Sequence, residues 1–194
     1  MSSITHLKAA NHRRMPWKNG GGETVEIAVF PDNAALGDLD WRVSMATVAT
    51  DGPFSIFEGI DRTLSILSGE GMALTIDGRE PVLLTKISTP LAFPADVPVM
   101  ATLSGGAITD LNIMTRRGRL EHTVERRAVD GMLEEAVQAG TVLLVSRDGT
   151  VICTYDGMQI DLDHDDALLL QLDSPSALKL HGSGTAYLIH IHAL

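Results

Sequence analysis

Five charged residues, Lys18, Glu26, Arg42, Asp61 and Arg62, stand with Asn19 and Ser44 inside or beside segments whose apolar residues alternate as β-strands do. Polar groups placed among core-forming residues need a partner, either from the chain or from a ligand. Two chemistries follow from these residue types. A guanidinium can pair a carboxylate through two parallel N–H···O bonds, which makes Arg42 and Arg62 the candidate anion receptors. Lys18, Glu26 and Asp61 also supply acid–base groups, so an isomerase or hydrolase acting on a small polar acid is the alternative to a binding protein. Lys18, Asn19 and Gly20 lead into the glycine run Gly20–Gly22 and form a candidate rim or lid. Ser44 shares a strand face with Arg42, Phe54 and Phe57 are candidate wall residues, and Asp110 and Asn112 share a face as a candidate polar floor. Each has a plainer role open to it. Arg42 and Arg62 could be paired with Glu26, Glu58 or Asp61, Glu26 and Ser44 could share a buried hydrogen bond, and Asp110 and Asn112 could bond across strands.

Other chemistries are poorly served. The glycine run has no following Lys-Ser/Thr and leads into a strand, not a helix, so a phosphate loop is not expected. Cys153 stands alone in an apolar strand, which excludes an internal disulfide and argues against a catalytic thiol. His190 and His192, two apart on one strand, would face the same way and form half of a metal site, yet a third ligand is not evident. His181 and the His164-Asp165-Asp166 cluster are the nearest additions, and that cluster reads as a solvated acidic turn. No cofactor is expected.

The elements that must hold these residues are strands. Alternation and turn residues mark Glu23–Phe30, Asp40–Ala49, Phe54–Phe57, Arg62–Leu67, Met72–Ile76, Val82–Thr85, Pro90–Phe93, Val99–Leu103 and Asp110–Met114. Further strands follow at Thr141–Val145, Thr150–Tyr155, Met158–Leu162, Ala167–Leu172, Leu178–Leu180 and Ala186–His192, and Met132–Gln138 carries a short helical pattern. Short strands at this spacing indicate a β-sandwich or barrel. The charged break Arg116-Arg117-Gly118-Arg119 reads as a solvated hinge and divides the chain into 1–118 and 119–194. Across it ILSGEGMALTIDG, from Ile66, parallels LVSRDGTVICTYDG, from Leu144, as expected of a duplicated β unit.

The chain has 194 residues, 44% of them hydrophobic, and a net charge of −10. That length suits one domain or two small ones, and the charge argues against a nucleic-acid surface. The longest apolar runs, such as Val142–Val145, are far too short to span a membrane, and no signal-type apolar core follows the N-terminal basic residues. With one cysteine the chain suits a reducing compartment, and a cytoplasmic location is expected. Long β edges leave room for a homodimer.

The strings MPWKNGGGETVEI, WRVSMATV, DGPFSIFEGIDRTL, LSGEG and DLNIMTRRG occur in order and together resemble the HutD/Ves family of cupin-like proteins. The resemblance covers most of the chain and is strongest up to about Gly118. It implies an all-β bicupin, two tandem jelly-roll β-barrel units with a shared core, and no established catalytic reaction. It also implies a regulatory association with histidine utilisation, or with stress response in the Ves branch. The ligand implied is a small anionic carboxylate such as urocanate or a formylated or formimino glutamate. Many cupins hold a metal through a His-x-His pair, a Glu and a later His. Set against that pattern, the chain has Arg62 in place of the Glu. The pair falls on Ile56 and Glu58, or on Ser55 and Phe57, and the later His falls near Val99. A metal-free barrel that receives an anion directly is the expectation.

Overall fold

The computed structural model describes residues 2–18 and 20–194, so Asn19 of the candidate rim lies outside the described residues. Strands carry the fold, and the only helical element among the described residues is a 3-10 turn at Ala9–Asn11. No helix among them is long and apolar enough to cross a membrane. The chain divides into two compact units, Arg13–Glu121 and Met1–His12 with His122–Leu194.

The first strand, β1 (Ser3–Leu7), pairs antiparallel with Ala167–Leu172 and so belongs to the later unit, whereas a division at 118/119 assigns it to the earlier one. Its anchors explain why. Asp166 accepts hydrogen bonds from Lys8 Nζ at 2.8 Å and the Ala9 amide at 2.8 Å, and lies 3.1 Å from His6 Nε2. His12 Nε2 meets the Asp165 carbonyl at 2.9 Å. All of these partners are remote in sequence, so no local pattern reports them. The His164-Asp165-Asp166 turn is accordingly a partly buried anchor and not a solvated cluster, with Asp166 only 3% exposed. Asp165 also takes Arg147 Nη1 at 2.5 Å.

The unit Arg13–Glu121 contains β2 (Arg13–Pro16), β3 (Gly22–Phe30), β4 (Trp41–Val48), β5 (Gly52–Pro53), β6 (Ile60–Ser68), β7 (Met72–Ile76), β8 (Val82–Leu84), β9 (Leu91–Pro94), β10 (Val99–Leu103) and β11 (Ile108–Arg116). They form a six-stranded sheet, β2-β3-β4-β11-β6-β9, and a four-stranded sheet, β5-β10-β7-β8. The strand expected at Phe54–Phe57 is irregular backbone that follows β5. Period-two alternation places Val48, Leu64, Ile66, Phe93 and Ile108 of the larger sheet in one cluster with Met72, Leu74, Leu84, Val99 and Ala101 of the smaller. Burying a side chain such as Leu64 or Leu74 stabilises by roughly 1.5–3 kcal/mol.

The later unit adds β12 (Leu120–Val137), β13 (Gly140–Tyr155), β14 (Met158–Leu162), β15 (Ala167–Leu172) and β16 (Ser176–Ala193). Its sheet runs β1-β15-β13-β16-β12, with β14 on β13. Met132–Gln138 is extended within β12, apart from its last residue, and not helical. Val129, Leu133 and Val137 recur every four residues, a spacing that a helix and a strand share, and pairing with β16 decides between them. The strands expected at Thr141–Val145 and Thr150–Tyr155 are one strand with a bulge, and so are Leu178–Leu180 and Ala186–His192 within β16.

The two Asp-Gly turns of the parallel strings share one backbone conformation. Asp77-Gly78 and Asp156-Gly157 both have positive φ at each residue, 51° and 68° in the first and 48° and 75° in the second. This is the type I′ geometry that a two-residue hairpin favours. None of the three sheets closes on itself through the strand pairings found among the described residues.

Candidate ligand site

The register of the larger sheet sets the geometry. Glu26, Ser44, Asn112 and Leu64 lie side by side across β3, β4, β11 and β6. Ala46, Asp110 and Ile66 form the adjoining row on the same face, and Arg42, Met114, Arg62 and Phe93 form the row on the other side. Ile66, Leu64 and Phe93 belong to the core cluster, so this is the inner face of the unit. Alternation along β4 therefore does place Arg42 and Ser44 inward together.

Arg42 is largely buried, and its Nε donates to Glu26 Oε2 at 2.7 Å. Glu26 also lies 3.9 Å from the exposed Arg13. This pair is the plainer of the two roles open to Arg42. Asp110, 1% exposed, accepts a short hydrogen bond from Asn112 Nδ2 and another from the Ala46 amide. Burial pushes its carboxyl up to about 7, against the opposing pull of Arg62, Asn112 and the Ala46 amide.

Arg62 has no such partner. It is 4% exposed, its Nε lacks a hydrogen-bond acceptor, and no carboxylate lies within salt-bridge distance among the described residues. Its guanidinium carbon sits 5.3 Å from the Phe54 ring centroid, 5.2 Å from Phe57 and 5.9 Å from Phe93. Three of the chain's four phenylalanines are spent on this one cation. Each ring face attracts it by about 0.5–2 kcal/mol, which offsets part of a desolvation cost of several kcal/mol. Burial lowers its pKa to about 10, with Asp110 pulling up and Arg42 pushing down. The group remains a cation at neutral pH.

Other expected residues are placed elsewhere. Asp61 precedes Arg62 on the strand, so it faces the opposite way, and Arg117 binds it through Nε at 2.9 Å and Nη2 at 2.7 Å. Lys18 and Gly20 are exposed, and Gly20 has the left-handed φ of 71° that suits a glycine. Arg116 and the exposed Arg117 also act as staples: Arg116 donates to the carbonyls of Gly37 and Leu39 at 2.8 Å, and Arg117 to Asp96 at 2.6 Å. Phe93 was not among the expected residues, and the signal for it is its position opposite Arg62 in the β6–β9 register.

His190 is partly buried with Nε2 unpartnered, and burial lowers its pKa. Among the described residues no group of three or more His, Cys, Asp or Glu is gathered to hold a metal ion. Cys153 is buried, and burial pushes its thiol up to about 12.

The family model for HutD matches residues 9–188. A 21.2 kDa protein of the hutC 3′ region of Pseudomonas putida is 34% identical over 160 residues, covering 82% of each chain. The chain belongs to the HutD family. Protein Ves of Citrobacter koseri is 38% identical over 161 residues, 75% of this chain and 81% of that one. The structure of HutD from Pseudomonas fluorescens superposes with a TM-score of 0.84 at 32% identity, covering 99% of this chain and 100% of that one. At the level of fold alone, HutD family membership is joined by likeness to a cupin 2 barrel domain protein from Leptotrichia buccalis, with a TM-score of 0.58 at 12% identity over 94% and 96% of the two chains. The fold is all-β and cupin-like.

Proposed function

We propose that this HutD family protein is a non-catalytic, metal-free bicupin that binds a small carboxylate metabolite in the interior of its Arg13–Glu121 unit. Its role is regulatory and tied to histidine utilisation in the cytoplasm, in line with the family and with the hutC-region relative. The observation that carries the reading is Arg62, a buried guanidinium caged by three rings and lacking a carboxylate. An incoming carboxylate would supply the missing counter-charge and the missing acceptor at Nε. Asn112, Ser44 and the Arg42–Glu26 pair line the same face and offer it hydrogen bonds.

Acid–base turnover is the weaker alternative on this geometry. Glu26 is held by Arg42, Asp61 faces away, and Lys18 is exposed, so the three groups that turnover would recruit do not converge. A thermal-shift screen against urocanate, formiminoglutamate, formylglutamate and simple dicarboxylates tests the proposal. The expected outcome is stabilisation that grows with one acid, persists in chelator and vanishes in Arg62→Met. Stabilisation that requires metal, or survives in Arg62→Met, overturns it.

A further inference from the structure

Four ionisable groups share the inner face of the larger sheet: Glu26 on β3, Arg42 on β4, Asp110 on β11 and Arg62 on β6. Arg13 of β2 stands opposite Glu26 in the register, 3.9 Å from its Oε1, and is exposed at the edge of the face. The residues facing them from β7, β8, β9 and β10 are Met72, Leu74, Leu84, Leu91, Phe93, Val99 and Ala101, none of them titratable. Arg42 and Glu26 neutralise each other at 2.7 Å. What remains is one positive and one negative group, Arg62 and Asp110, each the strongest charge acting on the other.

A carboxylate arriving at Arg62 takes over the cation that supports the Asp110 anion. It also brings a second negative charge into an interior that water barely reaches, where two like charges cannot both stay ionised at neutral pH. Among the described residues the other buried guanidinium of this face, Arg42, is already held by Glu26 and does not offset it. Building on the reading that Arg62 receives a carboxylate, we infer that the site takes a monocarboxylate and not a dicarboxylate, and that a proton enters with it from solvent and lodges on an Asp110 carboxyl oxygen. Asn112 already donates to Oδ1, so a proton on the other oxygen converts Asp110 into a donor that can turn toward the ligand. Because burial holds the unliganded carboxyl near 7, the proton is taken up readily at neutral pH.

The test is calorimetric titration with acetate, crotonate and benzoate as monocarboxylates and with succinate and glutarate as dicarboxylates. Above pH 7 the affinity of the best monocarboxylate is expected to fall about tenfold per pH unit, because one proton is bound with it. At pH 7.5 its heat should differ between phosphate and Tris buffers in proportion to the proton drawn from the buffer. Asp110→Asn should flatten the pH slope and abolish the buffer difference. Should that variant fail to fold, the two-buffer comparison on the unaltered protein decides the point. Tighter binding of the dicarboxylates, or a monocarboxylate heat that ignores the buffer, overturns this inference and leaves the binding reading standing. Binding of neither class at pH 6 overturns both.

Discussion

The two units build two different interiors from antiparallel strand pairs. In the Arg13–Glu121 unit β6 and β11 pair Ile66 with Asp110, Leu64 with Asn112 and Arg62 with Met114, while β9 brings Phe93 to Arg62. In the later unit β13 and β16 pair Leu144 with Leu188 and Val142 with His190, while β15 brings Leu172 to Gly140. Where one interior has a carboxylate, the other has Leu188. Where one has a caged guanidinium, the other has no side chain. Val142, Leu144, Leu170, Leu172 and Leu188 then pack in one apolar cluster, with the partly buried His190 beside Val142 on the same face. The later unit has a largely apolar filling, so strand pairing of this kind does not itself ask for the charges of the earlier unit. Burying an unpaired charge works against stability, and the earlier unit carries that cost at Arg62.

This contrast can be broken at either end. The largest effect is expected from Leu188→Asp, which places a carboxylate among the apolar side chains of the later unit. A loss of roughly 3–5 kcal/mol is expected for an uncompensated buried charge, read by urea denaturation. Glu26→Gln should cost slightly less, about 3 kcal/mol, since it strips the counter-charge from Arg42. It should also leave a second free guanidinium, so dicarboxylates that are refused by the unaltered protein should now give a thermal shift. Arg62→Met sharpens the comparison from the opposite side: the interior becomes more like that of the later unit. The unliganded protein should then be as stable or more stable by about 1 kcal/mol, with carboxylate binding lost.

The pH dependence of stability carries the next effect. Asp110 in the folded protein holds its proton up to about pH 7, whereas the unfolded chain releases it near the ordinary value of 3.8. Between those limits the folded state binds more protons, so this group's contribution makes stability fall as pH rises from about 4 through about 7. Subtracting the profile of Asp110→Asn from that of the unaltered protein should isolate this downward slope. A flat difference would show that Asp110 ionises normally. The smallest effect belongs to Phe57→Leu, which removes one ring face from Arg62. A cost of about 0.5–2 kcal/mol and a modestly altered carboxylate affinity are expected.

What the sequence made legible follows from how far each interaction reaches. The inward parity of Arg42 with Ser44, and of Asp110 with Asn112, is a property of one strand and survives into the structure. The same parity rule excludes Asp61 from the company of Arg62, since neighbours on a strand face opposite ways. Phe93 could not be found this way, because its meeting with Arg62 depends on how β6 pairs with β9. Nor could the partner of the leading arm, for Asp166 lies at the far end of the chain. Met132–Gln138 failed for a different reason: its spacing of four fits either conformation until a neighbouring strand is present.

The pairing of β1 with β15 sets an order of events during synthesis. Ser3 lies opposite Gln171, so during synthesis this strand has no edge to join until the residues between the two have followed it. At about 5–20 residues per second this wait lasts on the order of 10–30 s. All strands of the Arg13–Glu121 unit emerge within it, and that unit can assemble while the arm is still unpaired. The segment Ser3–Leu7, with His6 within it and Lys8 just after it, therefore meets Asp166 only late in assembly.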